Sequence, residues 1–387
     1  MRKLSVFIVA LLFLNIQPTH AVETLPQPFF NYLNSKYLGD PGVILIDKAS
    51  GEVIYESGST KARTPASVLK LTSAAAIALT LDASTVFKTA IYKTEKRGVF
   101  VIWGENDPWI TSNAKYRDAN KRAYMPKLIK AAFASDKKLK KITLIYKGVN
   151  NSDIYYAKKA LKRRASVAYK PLSKNIEVES LITEKISQVE SPPLSKMIRF
   201  ALLYSDNVLS QRLAMLATGK NGYPLNKEGL NDMAHEKLTT LGIDTKGMKL
   251  VDGSGLGGSN RISAVTVSQL LLKIRSEPQL KVVYDSLPVG GESGTLIGRY
   301  HTTAPQAVGI VKAKTGSTRH TVSLAGYTSA GEKEYVFVVI ADGVGRTKRS
   351  QNAARSAIDR MLGTITKPVV IGLTPPTVEN NPVAITQ

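Results

Sequence analysis

The chain has 387 residues, 43% of them hydrophobic and 21% charged, with a formal net charge of +23 and no cysteine. That length holds two domains or one large domain with an insertion, and a core of this size needs no covalent staples. The lack of cysteine excludes disulfides, a thiol nucleophile and thiolate metal sites, and the charge favours polyanionic neighbours.

The chain opens like a secretory signal. Arg2 and Lys3 precede an apolar run over 4–16, and Thr19-His20-Ala21 offers small residues where a signal peptidase reads. Cleavage is expected after Ala21; a retained anchor is the alternative. No later stretch reaches transmembrane length, so the mature chain has no expected membrane span. Export removes nucleic acid from the expected partners and makes an anionic envelope polymer or acidic glycan the candidate, unless the charge serves solubility alone. A short signal without a lipid-attachment cysteine favours the periplasm.

A short amphipathic helix is expected over 25–37, then a β-hairpin of 42–47 and 52–56 across the turn Lys48-Ala49-Ser50-Gly51. The hairpin leads into Thr64-Pro65-Ala66-Ser67-Val68-Leu69-Lys70, followed by alanine-rich helix formers. Proline is favoured at a first helical turn, so Ser67 is expected at a helix N-terminus with Lys70 three residues on, on the same face. A desolvated lysine can take a hydroxyl's proton without histidine, and free N–H groups at the helix start can stabilise developing negative charge. Ser-x-x-Lys alone is weak: it recurs at Ser112/Lys115 and Ser135/Lys138, both read as solvated surface.

Strands are expected over 87–92, 99–103 and 142–146, among lysine-rich stretches that make residues 88–185 read as an inserted, basic, mixed α/β domain. Helices follow over 194–204, 208–217 and 230–241, with Ser205-Asp206-Asn207 as a polar break suited to an N-cap. The glycine-rich run from Val251 to Gly258 is neither a Gly-x-Ser-x-Gly elbow nor a Walker loop. A helix over 263–274 is capped by Ser263. Strands are expected over 308–314, 322–327 and 335–341, with Thr315-Gly316-Ser317 beginning a turn, then a closing helix over 353–362 and a loosely ordered tail over 364–387.

Three short motifs therefore stand in order: Ser67-Val68-Leu69-Lys70, Ser205-Asp206-Asn207 and Lys314-Thr315-Gly316. Each is weak alone; together they are specific, because this trio marks penicillin-binding proteins and class A β-lactamases. The sequence resembles the penicillin-binding D-Ala-D-Ala carboxypeptidases and endopeptidases, in the branch with an insertion between the first two motifs. Ser191-Pro192-Pro193-Leu194, Asp252-Gly253-Ser254-Gly255-Leu256, Ser286-Leu287-Pro288 and Gly294-Thr295-Leu296 extend the match. The long interval between Ser67 and Ser205 argues against class A β-lactamases, whose Glu-x-x-Leu-Asn segment has only the shorter Glu228-Gly229-Leu230-Asn231 as a counterpart, read here as a helix start.

The resemblance implies an α/β (α+β) transpeptidase-like fold: an antiparallel sheet flanked by helices, formed by 22–87 and 186–363, with an inserted smaller mixed α/β domain at 88–185. It implies a serine acyl transfer in which Ser67, Lys70 and Ser205 are catalytic, while Asn207, Lys314, Thr315, Gly316 and Ser317 bind substrate. Lys70 would take the proton of Ser67, Ser205 would relay it, and Lys314 with Thr315 would meet the terminal carboxylate. The backbone N–H groups of Ser67 and Ser317 would form the oxyanion hole. Peptidoglycan peptides are the implied substrates and β-lactams the implied covalent inhibitors; no cofactor and no metal are required. His235, His301 and His320 lack zinc-ligand spacing. The rival readings are a β-lactamase or esterase on the same fold, and an inactive envelope-binding scaffold.

Overall fold

The computed structural model describes residues 25–366 apart from 121, 163–165 and 174. The expected signal segment and most of the expected tail lie outside the described residues. Helix α1 (Gln27–Leu33) precedes the hairpin β1 (Gly42–Asp47) and β2 (Val53–Ser57). A 3-10 turn, Ala66–Leu69, then runs into α2 (Lys70–Ala78), which puts Ser67 in the first turn of a helical segment, as the proline predicts. Every residue of α2 is buried. A helix buried all round needs no amphipathic face, and its alanines allow close approach by its neighbours.

The chain next builds a second sheet. Its strands are β3 (Lys88–Lys93), β4 (Val99–Gly104), β5 (Lys141–Lys147), β6 (Ser166–Pro171) and β7 (Lys185–Glu190), with α3 (Ala114–Asn120), α4 (Met125–Ala134) and α5 (Asn151–Leu161) between them. The spatial order is β6-β5-β4-β3-β7; β4, β5 and β6 are parallel, and β3 is antiparallel to both neighbours. Parallel neighbours need crossover connections, which α4 and α5 supply. The sheet has its own core of Ile91, Phe100, Ile102, Leu128, Ile129 and Leu144 with their neighbours.

Helices α6 (Leu194–Leu203), α7 (Asn207–Lys220), α8 (Lys227–Thr240), α9 (Ala264–Ser276) and α10 (Lys281–Asp285) follow. Ser263 caps α9 by accepting from Thr266 N, as expected. Strands β8 (Lys312–Ser317), β9 (Val322–Ala330) and β10 (Lys333–Ala341) complete the first sheet, in the order β2-β1-β10-β9-β8 with every pairing antiparallel. One face packs under α2, α7 and α9; the other under α1 and α11 (Lys348–Ile365). Helix α11 carries the chain further than expected, so Thr364 and Ile365 are helical rather than the start of a tail.

Two local expectations change. Thr315-Gly316-Ser317 does not begin a turn; it is the second half of β8, paired with β9 through Ser317↔Val322. Residues 308–311 lie outside the strand, following a 3-10 turn at Pro305–Ala307. Ser112 is not solvated: it is 2% exposed, and its N–H donates to Asp153 Oδ1 at 3.1 Å.

Candidate active site

The three motifs converge where the 3-10 turn, α7 and β8 meet. Lys70 is buried at 1% exposure. Its Nζ lies 2.7 Å from Ser67 Oγ, 2.7 Å from Asn207 Oδ1 and 2.6 Å from the carbonyl oxygen of Ser254. A neutral amine has two N–H donors and one lone pair. Two carbonyl acceptors and one hydroxyl donor match that inventory. Burial pulls the Lys70 pKa down to about 8, while the charges of Asp252 and Asp206 hold it from falling further.

Lys314 is more enclosed, at 0% exposure. It donates to Ser205 Oγ at 3.0 Å and to the carbonyl of Thr315 at 2.8 Å. Burial first, and the neighbouring Lys70 second, push its pKa well below the ordinary lysine value. Ser205 is thus tied to the third motif and Asn207 to the first. The second motif sits between them because Asp206 caps α7, accepting from Leu209 N at 2.7 Å.

Backbone strain marks both serines' surroundings. Ala66 has φ +50° and Ser205 φ +55°, a conformation that costs roughly 1 kcal/mol or more for residues with a Cβ. Two glycines permit the close approaches that hold this geometry. A Cβ on Gly316 would lie 2.7 Å from the carbonyl oxygen of Pro65 and 3.1 Å from Ser67 N, so β8 can run alongside the serine turn only without a side chain there. Gly255 has φ +79°, and a Cβ there would meet the Ala66 carbonyl at 1.9 Å.

Sequence reasoning left out several participants. The glycine-rich loop supplies the Ser254 carbonyl to Lys70, and Asp252 folds that loop. One oxygen of Asp252 accepts from the N–H groups of Ser254 and Gly255 and from Ser254 Oγ, each at 2.7 Å; the other accepts from Gly257 N at 2.7 Å and Asn260 Nδ2 at 2.9 Å. Burial raises the carboxyl's pKa, but these hydrogen bonds outweigh it and leave the group below its ordinary value. An aspartate ahead of a Gly/Ser run is the signal for such a turn. Thr295 was also missed; it accepts from Thr315 Oγ1 at 2.8 Å. So was Arg355, whose Nη2 donates to Ser317 Oγ at 2.8 Å.

A cleft of about 600 Å³ opens beside these groups, lined by Asn207, Val208, Arg212, Asp252, Ser254 and Leu256. A larger cavity, about 750 Å³, lies near Leu79, Lys196 and Lys281, and no motif residue lines it. Glu228 is on the surface at the start of α8, beside Lys227, so its carboxylate does not serve this site. Among the described residues no group of three or more His, Asp or Glu side chains is placed to hold a metal ion.

The model of the D-Ala-D-Ala carboxypeptidase 3 (S13) family matches residues 175–365, a stretch containing the second and third motifs, the 252–257 loop and α11. Over that stretch the chain matches the family, while the first motif, Ser67 to Lys70, lies outside the matched residues. A carboxypeptidase DacB of Mycolicibacterium smegmatis is 28% identical over 367 residues, covering 82% of this chain and 80% of that protein. A D-alanyl-D-alanine carboxypeptidase of an Actinomadura species is 42% identical over 113 residues, 28% of this chain and 21% of that one. The crystal structure of penicillin binding protein 4 from Haemophilus influenzae superposes with a TM-score of 0.68 at 17% identity, over 86% of this chain and 98% of that one. At that identity the likeness speaks for the fold, and it spans both sheets.

Proposed function

We propose that the chain is a serine D-Ala-D-Ala carboxypeptidase that hydrolyses peptidoglycan stem peptides through an acyl-enzyme on Ser67. The observation that carries this reading is the environment of Lys70: a buried amine, its pKa lowered to about 8, in hydrogen-bond contact with a serine hydroxyl. In its neutral form Lys70 takes the Ser67 proton as Oγ attacks the carbonyl of the D-Ala-D-Ala bond. The backbone N–H groups of Ser67 and Ser317 receive the oxyanion, with Gly316 allowing their approach. Ser205, held by Lys314, passes a proton to the departing amine of D-Ala. Asn207 orients Lys70 and the substrate amide, and Thr315 offers its hydroxyl to the substrate's terminus. Water then attacks the ester, Lys70 acting as base again, and Ser67 is regenerated.

β-Lactams would acylate the same serine, because their strained amide presents a carbonyl and a carboxylate in the substrate's places. The signal-like N-terminus supports a periplasmic setting, where the positive charge would hold the protein near anionic envelope polymers; such binding should weaken steeply with salt. We further read the second sheet as the inserted unit, the catalytic unit being formed by the chain on either side of it.

Intact-mass spectrometry after brief exposure to benzylpenicillin tests the reading. A single adduct is expected on the native protein and none on Ser67→Ala. Rapid loss of the drug without an adduct would move the assignment to a β-lactamase. A folded protein that neither binds nor consumes the drug would leave only a scaffold.

A further inference from the structure

The substrate of this reaction ends in a carboxylate, and a carboxylate entering a partly dry site needs a charged donor. Lys314 is badly placed to be that donor. It is fully enclosed, its amine is committed to Ser205 Oγ and to its own strand, and burial beside Lys70 disfavours its ammonium form.

Arg355 is a better candidate. It lies on α11, partly exposed, with Nη2 donating to Ser317 Oγ at 2.8 Å and Nη1 to Asn352 Oδ1 at 2.8 Å. Both partners are neutral, and no carboxylate among the described residues is in ion-pair contact with it. The nearby Asp359 is occupied by Arg299, at 2.5 Å and 3.2 Å. The guanidinium thus has no direct ion-pair partner, Asp359 acting on it only without contact, and it cannot lose its proton near neutral pH. Ser317 is exposed and ends β8; Thr315 is two residues earlier, so its side chain leaves the same face of the strand. Thr295, Thr315, Ser317 and Arg355 form a row of hydroxyls ending in a cation along β8, the strand whose Gly316 runs beside the Ser67 turn.

We propose that Arg355, acting with the Ser317 hydroxyl, binds the free C-terminal carboxylate of the peptide and so gives the site its preference for a terminal residue over an internal bond. This rests on the serine carboxypeptidase reading above and adds to it a specificity-determining residue, one that chooses between exopeptidase and endopeptidase action.

The test uses two acyl donors that differ at one atom group: an N-acylated peptide ending in D-Ala-D-Ala as the free acid, and the same peptide as its C-terminal amide. Release of D-Ala or D-alaninamide is followed by mass spectrometry for the native protein, Arg355→Ala and Arg355→Lys. Removing a charged hydrogen-bond partner should lower kcat/KM for the acid about 10- to 100-fold. The amide should change less than about 3-fold, and lysine should restore part of the loss. Equal losses on both peptides in a protein with native melting behaviour would make Arg355 a structural residue and overturn the proposal, as would no loss on either. If the native protein releases nothing from the acid and takes no penicillin adduct, the carboxypeptidase reading itself fails and this proposal falls with it.

Discussion

A lysine that must act as a base has to be made to give up a proton it would ordinarily keep. Here burial does this, and the cost is limited by giving the neutral amine a matched set of partners: two carbonyl oxygens and one hydroxyl. The sign of the pH dependence follows. With Lys70 as the proposed base the active form is deprotonated, so the second-order rate of acylation by benzylpenicillin should rise as pH increases through about 8 and level off above it. A stopped-flow or quenched mass measurement between pH 6 and 10 checks this; a flat profile would remove Lys70 as the base. Gly316→Ala tests the neighbouring strand. Its new methyl would press on Pro65 and Ser67, so acylation should slow at least about 10-fold while the fold survives. The side chains of this site were legible from sequence because their chemistry restricts them to few residue types. The Ser254 carbonyl was not, since every residue carries a carbonyl and only the fold decides which one reaches Lys70.

At the scale of elements, the second motif is held from outside its own chain segment. Arg122, between α3 and α4, has a side chain 1% exposed and pairs with Asp206 at 3.2 Å, the residue between Ser205 and Asn207. Its guanidinium lies 4.7 Å from the ring centroid of Trp109 and 5.5 Å from that of Phe200. Breaking a buried pair from one side leaves an uncompensated charge and costs about 3–5 kcal/mol. Arg122→Met should therefore destabilise the protein by about that amount in urea titration. Adding Asp206→Asn, which keeps an N-cap acceptor, should recover a large part. If the pair positions Ser205, the folded Arg122→Met protein should also show lower kcat at little changed KM. The elements themselves were largely readable: the hairpin, α2, α6, α7 and α9 follow from period, caps and proline. The extent of β8 was misread because Thr, Gly and Ser carry turn signals locally, and pairing with β9 overrides them. Arg122 was invisible as a partner of Asp206 because nothing in a sequence shows that residues so far apart will meet.

The molecule as a whole joins two sheets with separate cores, and the join runs through α7. Besides Arg122–Asp206, Arg212 on α7 pairs with Asp153 on α5 at 2.9 Å and donates to the carbonyl of Ile110 at 2.7 Å. Of the chain's two tryptophans, Trp103 lies on β4 of the second sheet, while Trp109 packs against Phe200 in the core of the first. In a Trp109→Phe background the fluorescence of Trp103 therefore reports on the second sheet, while penicillin acylation reports on the first. The two signals should be lost together during urea unfolding in that background, and Arg212→Met should separate them. Coincident curves in that variant would show that the ion pairs do not couple the halves. The strands β3, β4 and β5 of the second sheet were legible in the sequence, but the parallel order β4-β5-β6 was hidden, because short amphipathic strands read alike whichever way their neighbours run.

Arg212 lines the cleft, and the Arg122–Asp206 pair adjoins it through Asn207, the next residue. A hinge opening there would have to part both guanidinium groups from their carboxylates, which makes such opening costly.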